Sequence, residues 1–253
     1  MGVAHPFYFG VVSKFYWKSD EKWTKVGRVK ASDPEILACV PEALDPAGFN
    51  SAASLPYSLT TDHIALAMGE FLDFLRFVNT RLNDEKMPRL ETIMMPANFS
   101  SLVGEFMNAG IPKYCNTLVK NRYHNGHPDM VPAGMFPGDS VQHATEGIEI
   151  KASRYGRGWQ GHNEEDTWLM VFVYGSNRPK DGALNARPFK FLEVLGAPVI
   201  KDDWAYSGRS ETSRRTITAS VKPAGYAKMA ENWIYRAPDF KIPKNPVQSK
   251  PAR

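Results

Sequence analysis

A mixed α/β fold is the first expectation from this 253-residue chain, and three observations lead to it. Over residues 62–84, Ile64, Leu66, Ala67, Phe71, Leu72, Phe74, Leu75 and Val78 recur at helical spacing, which gives one broad apolar face. Thr167-Trp168-Leu169-Met170-Val171-Phe172-Val173-Tyr174 is an almost unbroken apolar run, as in a strand covered on both faces. Ile148, Ile150 and Ala152 alternate with Glu149 and Lys151, the period-two pattern of a strand with one face in a core.

Along the chain, residues 1–60 form an aromatic-rich segment, with a strand or hairpin expected over Phe7–Trp17. Thr61 or Asp62 is the expected cap of the 62–84 helix, whose apolar stripe reads as core or dimer interface. A second helix is expected over Asn98–Ala109, with Gly110 and Pro112 ending it. Residues 113–236 carry a mixed α/β pattern. Within them Phe189–Leu195 fits a short strand or a helix equally, and Met229–Tyr235 reads as a further ordered apolar piece. The proline-rich, basic tail from Ala237 is expected to be extended and mobile and to brush DNA. The domain boundaries that follow are a single domain over 1–236, its chemistry within about 98–236, and a tail over 237–253. No internal repeat is visible.

Composition excludes several classes. The chain is 43% hydrophobic and 23% charged, ordinary for a soluble globular protein, and no apolar run has the length of a membrane span. The start, His5 to Val12, lacks a basic region and a small-residue cleavage pattern, so no signal peptide is expected. Cys39 and Cys115 give neither a disulfide framework nor a metal cluster, and the cytoplasm is the expected compartment. The net charge of +4 permits nucleic-acid binding without requiring it.

The stretch richest in chemistry is Gly126-His127-Pro128-Asp129, followed by Glu149-Ile150-Lys151. Asp129-Met130-Val131 can open a strand, and Gly134 with Pro137-Gly138-Asp139-Ser140 supplies turn residues. A strand–turn–strand unit would bring Asp129 beside Glu149. Two carboxylates are hard oxygen ligands suited to magnesium, and the Lys151 ammonium can stabilise charge on a reacting phosphate. The competing reading is a solvated strand face carrying Glu149 and Lys151.

On Pro128-Asp129 and Glu149-Ile150-Lys151 the chain resembles the PD-(D/E)xK nuclease superfamily, the fold family of most type II restriction endonucleases. The match covers about a tenth of the chain. The resemblance implies an α/β restriction-endonuclease-like core, with a central mixed β-sheet flanked by helices. It further implies a magnesium-dependent endonuclease acting on double-stranded DNA as a homodimer. Asp129 and Glu149 would hold the metal and Lys151 would act beside them. The family often adds an acid from a preceding helix, for which Glu105 is the candidate. Asp139 competes for the place of Asp129 but sits in a glycine-containing turn. A repair or recombination nuclease on the same fold, or a DNA-binding module without cleavage, are the alternatives.

Two segments carry DNA-reading chemistry. Gly158-Trp159-Gln160-Gly161-His162-Asn163 combines small residues with a ring for stacking and amides for base edges. Its bland reading is a loop anchored to the core by Trp159. Glu164-Glu165-Asp166 beside it would repel phosphates. Arg209, Arg214 and Arg215 cluster among hydroxyl residues, which suits phosphate or guanine contacts or a plain charged loop. The histidines His124, His127, His143 and His162 offer a zinc or transition-metal alternative. Gly126 and Pro128 oppose a helix presenting the first two rings together, and no HExxH motif is present. Phosphate-binding GxxxxGK[ST] and GxSxG motifs are also absent.

Overall fold

The structure, a computed structural model, describes residues 33–161, 164–181, 185–207 and 218–241, which lie within one compact unit spanning 31–253. The segment expected over Phe7–Trp17 is outside the described residues. The first elements are a short helix α1 (Pro34–Ala38) and the long helix α2 (Thr61–Asp84). The cap of α2 is Thr60, not Thr61 or Asp62. Thr60 Oγ1 accepts from the His63 amide at 3.3 Å, and His63 Nδ1 accepts from the Thr60 amide at 3.2 Å. Two amides at the helix start are thus satisfied reciprocally. Ile64, Ala67, Met68, Phe71 and Leu75 are buried, whereas Leu66, counted on that face from the sequence, is exposed. A single turn α3 (Leu90–Ile93) leads into α4 (Pro96–Gly110). Proline starts α4 at a position whose amide would have no helical partner.

The strands follow as β1 (Leu118–Lys120), β2 (Met130–Pro132), β3 (Ile148–Ser153), β4 (Gln160–Gly161), β5 (Thr167–Gly175) and β6 (Lys190–Val199). The last elements are β7 (Trp204–Ser207), β8 (Thr218–Val221), α5 (Pro223–Glu231) and β9 (Trp233–Arg236). A six-stranded mixed sheet has the order β1-β2-β3-β5-β6-β9. Only β3 and β5 pair in parallel; the other neighbours are antiparallel. A smaller sheet has the order β4-β8-β7.

β5 is covered on both faces, as its apolar run predicts. Met170, Phe172 and Tyr174 join a core with Phe71 of α2 and Phe99 and Val103 of α4. Leu169, Val171 and Val173 join a second core with Trp159, Trp204, Ala219 of β8 and Met229 of α5. Each such side chain contributes about 1.5–3 kcal/mol on burial, so β5 ties the two layers together. Ile148 and Ile150 of β3 are buried in the first core, which turns Glu149 and Lys151 to the opposite side of the strand.

Other expectations are resolved or corrected. Phe189–Leu195 is strand and not helix from Lys190 onward, where it forms the first part of β6 and pairs with β5; Phe189 itself precedes the strand. Met229–Tyr235 is two elements, the end of α5 and β9. The tail does not begin at Ala237: that residue is 3% exposed, its amide donates to Leu192 O at 2.9 Å, and Phe240 packs on the first core. Residues from 242 onward are outside the described set. Among the described residues no helix is long and apolar enough to cross a membrane.

Candidate active site

The sheet opens between β2 and β3. These strands pair only at Met130 and Ile148, and two residues further along β3 a side chain replaces the ladder: Asp129 Oδ2 accepts from the Ile150 amide at 2.8 Å. Gly147 permits the approach. Its φ is +142°, and a Cβ there would stand 2.1 Å from Met130 O, so no other residue fits. The opening forms a cleft of about 450 Å³ lined by Asp129, Glu149, Lys151 and His127, by Glu165 and Trp204, and by Gly104, Glu105 and Asn108 of α4. The three residues of the predicted motif therefore meet in one cleft. The solvated-face reading of the strand does not hold, since the side chains of Glu149 and Lys151 are 12% and 26% exposed.

Two further residues complete the cluster. His127 Nδ1 lies 3.0 Å from Glu149 Oε2 and 3.0 Å from Glu165 Oε2. His143 Nε2 stands 3.8 Å from Glu165 Oε1. His127 is fixed by its neighbours, its amide donating to Gln142 O at 3.0 Å and its carbonyl accepting from the Ala144 amide at 2.9 Å. Glu165 is held by its backbone, whose carbonyl accepts from Trp204 Nε1 at 3.0 Å. The acidic run Glu164-Glu165-Asp166, expected only to repel phosphates, thus supplies a carboxylate to the site. Adjacency of His127 to Pro128-Asp129 was a signal in the sequence; Glu165 had none, because its approach depends on a contact with Trp204.

The charges divide unequally. Burial and the neighbouring charge of Glu149 push the Asp129 carboxyl up to about 7. Burial works to raise Glu149 too, but the hydrogen bond from His127 and the charge of Lys151 outweigh it and hold Glu149 low, at about 2. Burial would lower Lys151 and His127; Glu149 raises both above their usual values, with Asp129 assisting at Lys151 and Glu165 at His127. The Lys151 ammonium donates to Glu149 Oε1.

The cleft also holds buried polar atoms without hydrogen-bond partners: His127 Nε2, Thr167 Oγ1 and Asn108 Oδ1. Such atoms are uncommon and call for an explanation; at a cleft wall a bound ligand is the natural one. Among the described residues no three His, Cys, Asp or Glu side chains are grouped as a metal cage. Magnesium needs none, since it keeps several waters and takes one or two carboxylates. Asp129 and Glu149 suit it as oxygen donors.

The remaining candidates fall in different places. Glu105 reaches the cleft edge from α4, its Oε2 accepting from Lys120 Nζ at 2.8 Å. Asp139 is a turn residue: Oδ1 accepts from the Gly134 amide at 2.8 Å and φ is +55°. Trp159 is 4% exposed, packs against Tyr226 and donates Nε1 to Tyr155 O. It is an anchor of the second core, with no open face for a base, which corrects the stacking expectation. Gln160 is exposed and starts β4, opposite Ser220. His162, Asn163, Arg209, Arg214 and Arg215 lie outside the described residues. In comparisons with known proteins, the chain matches no protein-family model, no curated protein and no solved structure.

Proposed function

We infer that the protein is a magnesium-dependent endonuclease that hydrolyses phosphodiester bonds in double-stranded DNA, with a restriction-endonuclease-like core. The observation that carries this reading is the meeting of Asp129, Glu149 and Lys151 in one cleft, where the sheet opens and a side chain replaces the ladder. In the proposed reaction Asp129 and Glu149 bind the ion. Magnesium bound there supplies polarisation of a phosphoryl oxygen and a lowered pKa for a bound water. Lys151 sits beside Glu149 and stabilises charge growing on the phosphate. His127 and Glu165 fix the direction of the Glu149 carboxylate, as outer partners of ligands commonly do. A sequence-specific type II restriction enzyme, acting in the cytoplasm as a homodimer on a two-fold site, is the specific form of the reading.

A DNA-binding module without cleavage is favoured by one observation: both Glu149 oxygens already have protein nitrogens as partners, His127 Nδ1 and Lys151 Nζ. One experiment separates the two. Purified protein is incubated with plasmid DNA in magnesium, in calcium and in EDTA, alongside Asp129→Asn, Glu149→Gln and Lys151→Ala. The nuclease reading expects nicking or linearisation by the wild type in magnesium alone, and a loss of at least about 100-fold in each folded variant. Full cleavage by Glu149→Gln would overturn the site assignment. Binding without cleavage by the wild type would favour the module.

A further inference from the structure

A second groove, of about 720 Å³, runs alongside the cleft and shares Glu105, Asn108, Asn125, Gly126 and Asp129 with it. Its outer wall is the loop that joins β1 to β2. That loop is fixed in shape by one buried side chain. Asn121 Nδ2 donates to Pro128 O at 3.0 Å and to Val141 O at 2.8 Å, and Oδ1 accepts from the amides of Tyr123 at 3.0 Å and Val141 at 3.1 Å. All four capacities of the amide group are therefore used. Gly126 closes the loop where no Cβ has room, since one would stand 2.5 Å from Val141 O. Asn125 turns the chain with φ +56°.

What this rigid loop displays is polar and carries no acid. Arg122, Tyr123, His124 and Asn125 are all exposed. The Arg122 guanidinium has no acidic partner among the described residues; only its backbone amide is engaged, donating to Asp139 O. Tyr123 leaves 42% of its surface open. Of the groove's own acids, Glu105 is paired with Lys120, and Asp129 accepts from the Ile150 amide. At the junction of groove and cleft stands Asn108, 3% exposed, whose Oδ1 has no partner. An unpaired arginine, a histidine, a phenol and amides on a preformed wall suit the phosphates and sugars of a nucleic-acid strand, and a fixed loop loses little entropy on binding.

The geometry points to the groove of Arg122, Tyr123 and His124 as the track for the DNA backbone leading away from the phosphate held in the cleft. Arg122 and His124 meet phosphates, and Tyr123 lies against a sugar. The inference rests on the nuclease reading and adds the path of the substrate, on residues that carry none of the catalytic chemistry.

The test measures anisotropy of a fluorescein-labelled duplex in calcium across about 50–200 mM salt, and plasmid cleavage in magnesium. Proteins compared are the wild type, Arg122→Ala, the triple variant Arg122→Ala/Tyr123→Ala/His124→Ala, and Arg76→Ala, a charge-matched control on α2 outside both cavities. The replaced side chains are exposed, and thermal melts verify the fold. Arg122→Ala is expected to bind about 3–10-fold more weakly, with a salt slope reduced by roughly one. The triple variant should bind at least about tenfold more weakly, with the control unchanged. A wild type that cuts, beside a triple variant that binds and cuts equally well, overturns the track. A wild type that binds without cutting, with binding lost in the triple variant, overturns the nuclease and supports the track. A wild type that does not bind duplex at low salt overturns both.

Discussion

Two buried clusters of charge in this fold differ in one respect. In the first, Arg89 is 2% exposed and Glu91 0%. Arg89 donates to Glu35 at 2.8 Å, to Asn177 at 2.8 Å and to Glu91, while Asn79 donates to the other Glu91 oxygen at 2.9 Å. Every buried polar atom of Arg89 and Glu91 has a partner. In the second, the cleft cluster, Asp129 is pushed up by burial and by Glu149, and His127 Nε2 has no partner. The first joins α1, α2 and α3 to the segment after β5. The second is incomplete within the protein and opens to a cleft. Polar groups that satisfy one another hold the fold together; a polar group left unsatisfied at a cleft leaves chemistry for a ligand.

The strongest way to break this contrast is to strip the first cluster of partners. Glu91→Ala leaves Arg89 buried with one counter-charge fewer and should cost about 3–5 kcal/mol, as breaking a buried pair does, read as a shift of the urea midpoint at constant m-value. A loss under about 1 kcal/mol would put this network on a level with a surface pair. Next in size is the support of Glu149. His127→Gln should weaken magnesium binding, followed by calorimetry, and cleavage by roughly 10–100-fold. Unchanged magnesium binding would reduce His127 to a neighbour. The smallest effect has the opposite sign. Asp129 is raised from 3.8 to about 7, so the folded state holds this proton more tightly than the unfolded one. Stability contributed by the proton is present below pH 4 and is lost as pH rises toward 7. Asp129→Asn, which removes the ionisation, should therefore be more stable than the wild type at pH 8 and equal to it near pH 4, read from urea midpoints at the two pH values. A variant less stable at pH 8 would show that the Ile150 hydrogen bond outweighs the charge.

Periodicity made the long elements legible. The stripe of α2, the alternation of β3 and the two-faced run of β5 are all local patterns, and each one forms. The meeting of Asp129, Glu149 and Lys151 was readable for the same reason: a strand start and a strand face fix both positions. Elements without a period were not readable. Phe189–Leu195 is apolar in both templates until its pairing with β5 decides, and the burial of Arg89 depends on partners as distant as Asn177. Glu165 reaches the cleft through Trp204, 39 residues away, and Trp159 is drawn inward by Tyr226 from α5. No window of neighbouring residues contains such contacts.

The bond from the Ile150 amide to Asp129 has a practical side. An amide bonded in the ladder records the integrity of the sheet. This one is tied to a carboxylate held up at about 7, so that its charge changes near neutral pH. Its proton resonance should shift as Asp129 titrates, so a single amide signal would serve as a spectroscopic indicator built into the backbone, needing neither a substrate nor an attached dye.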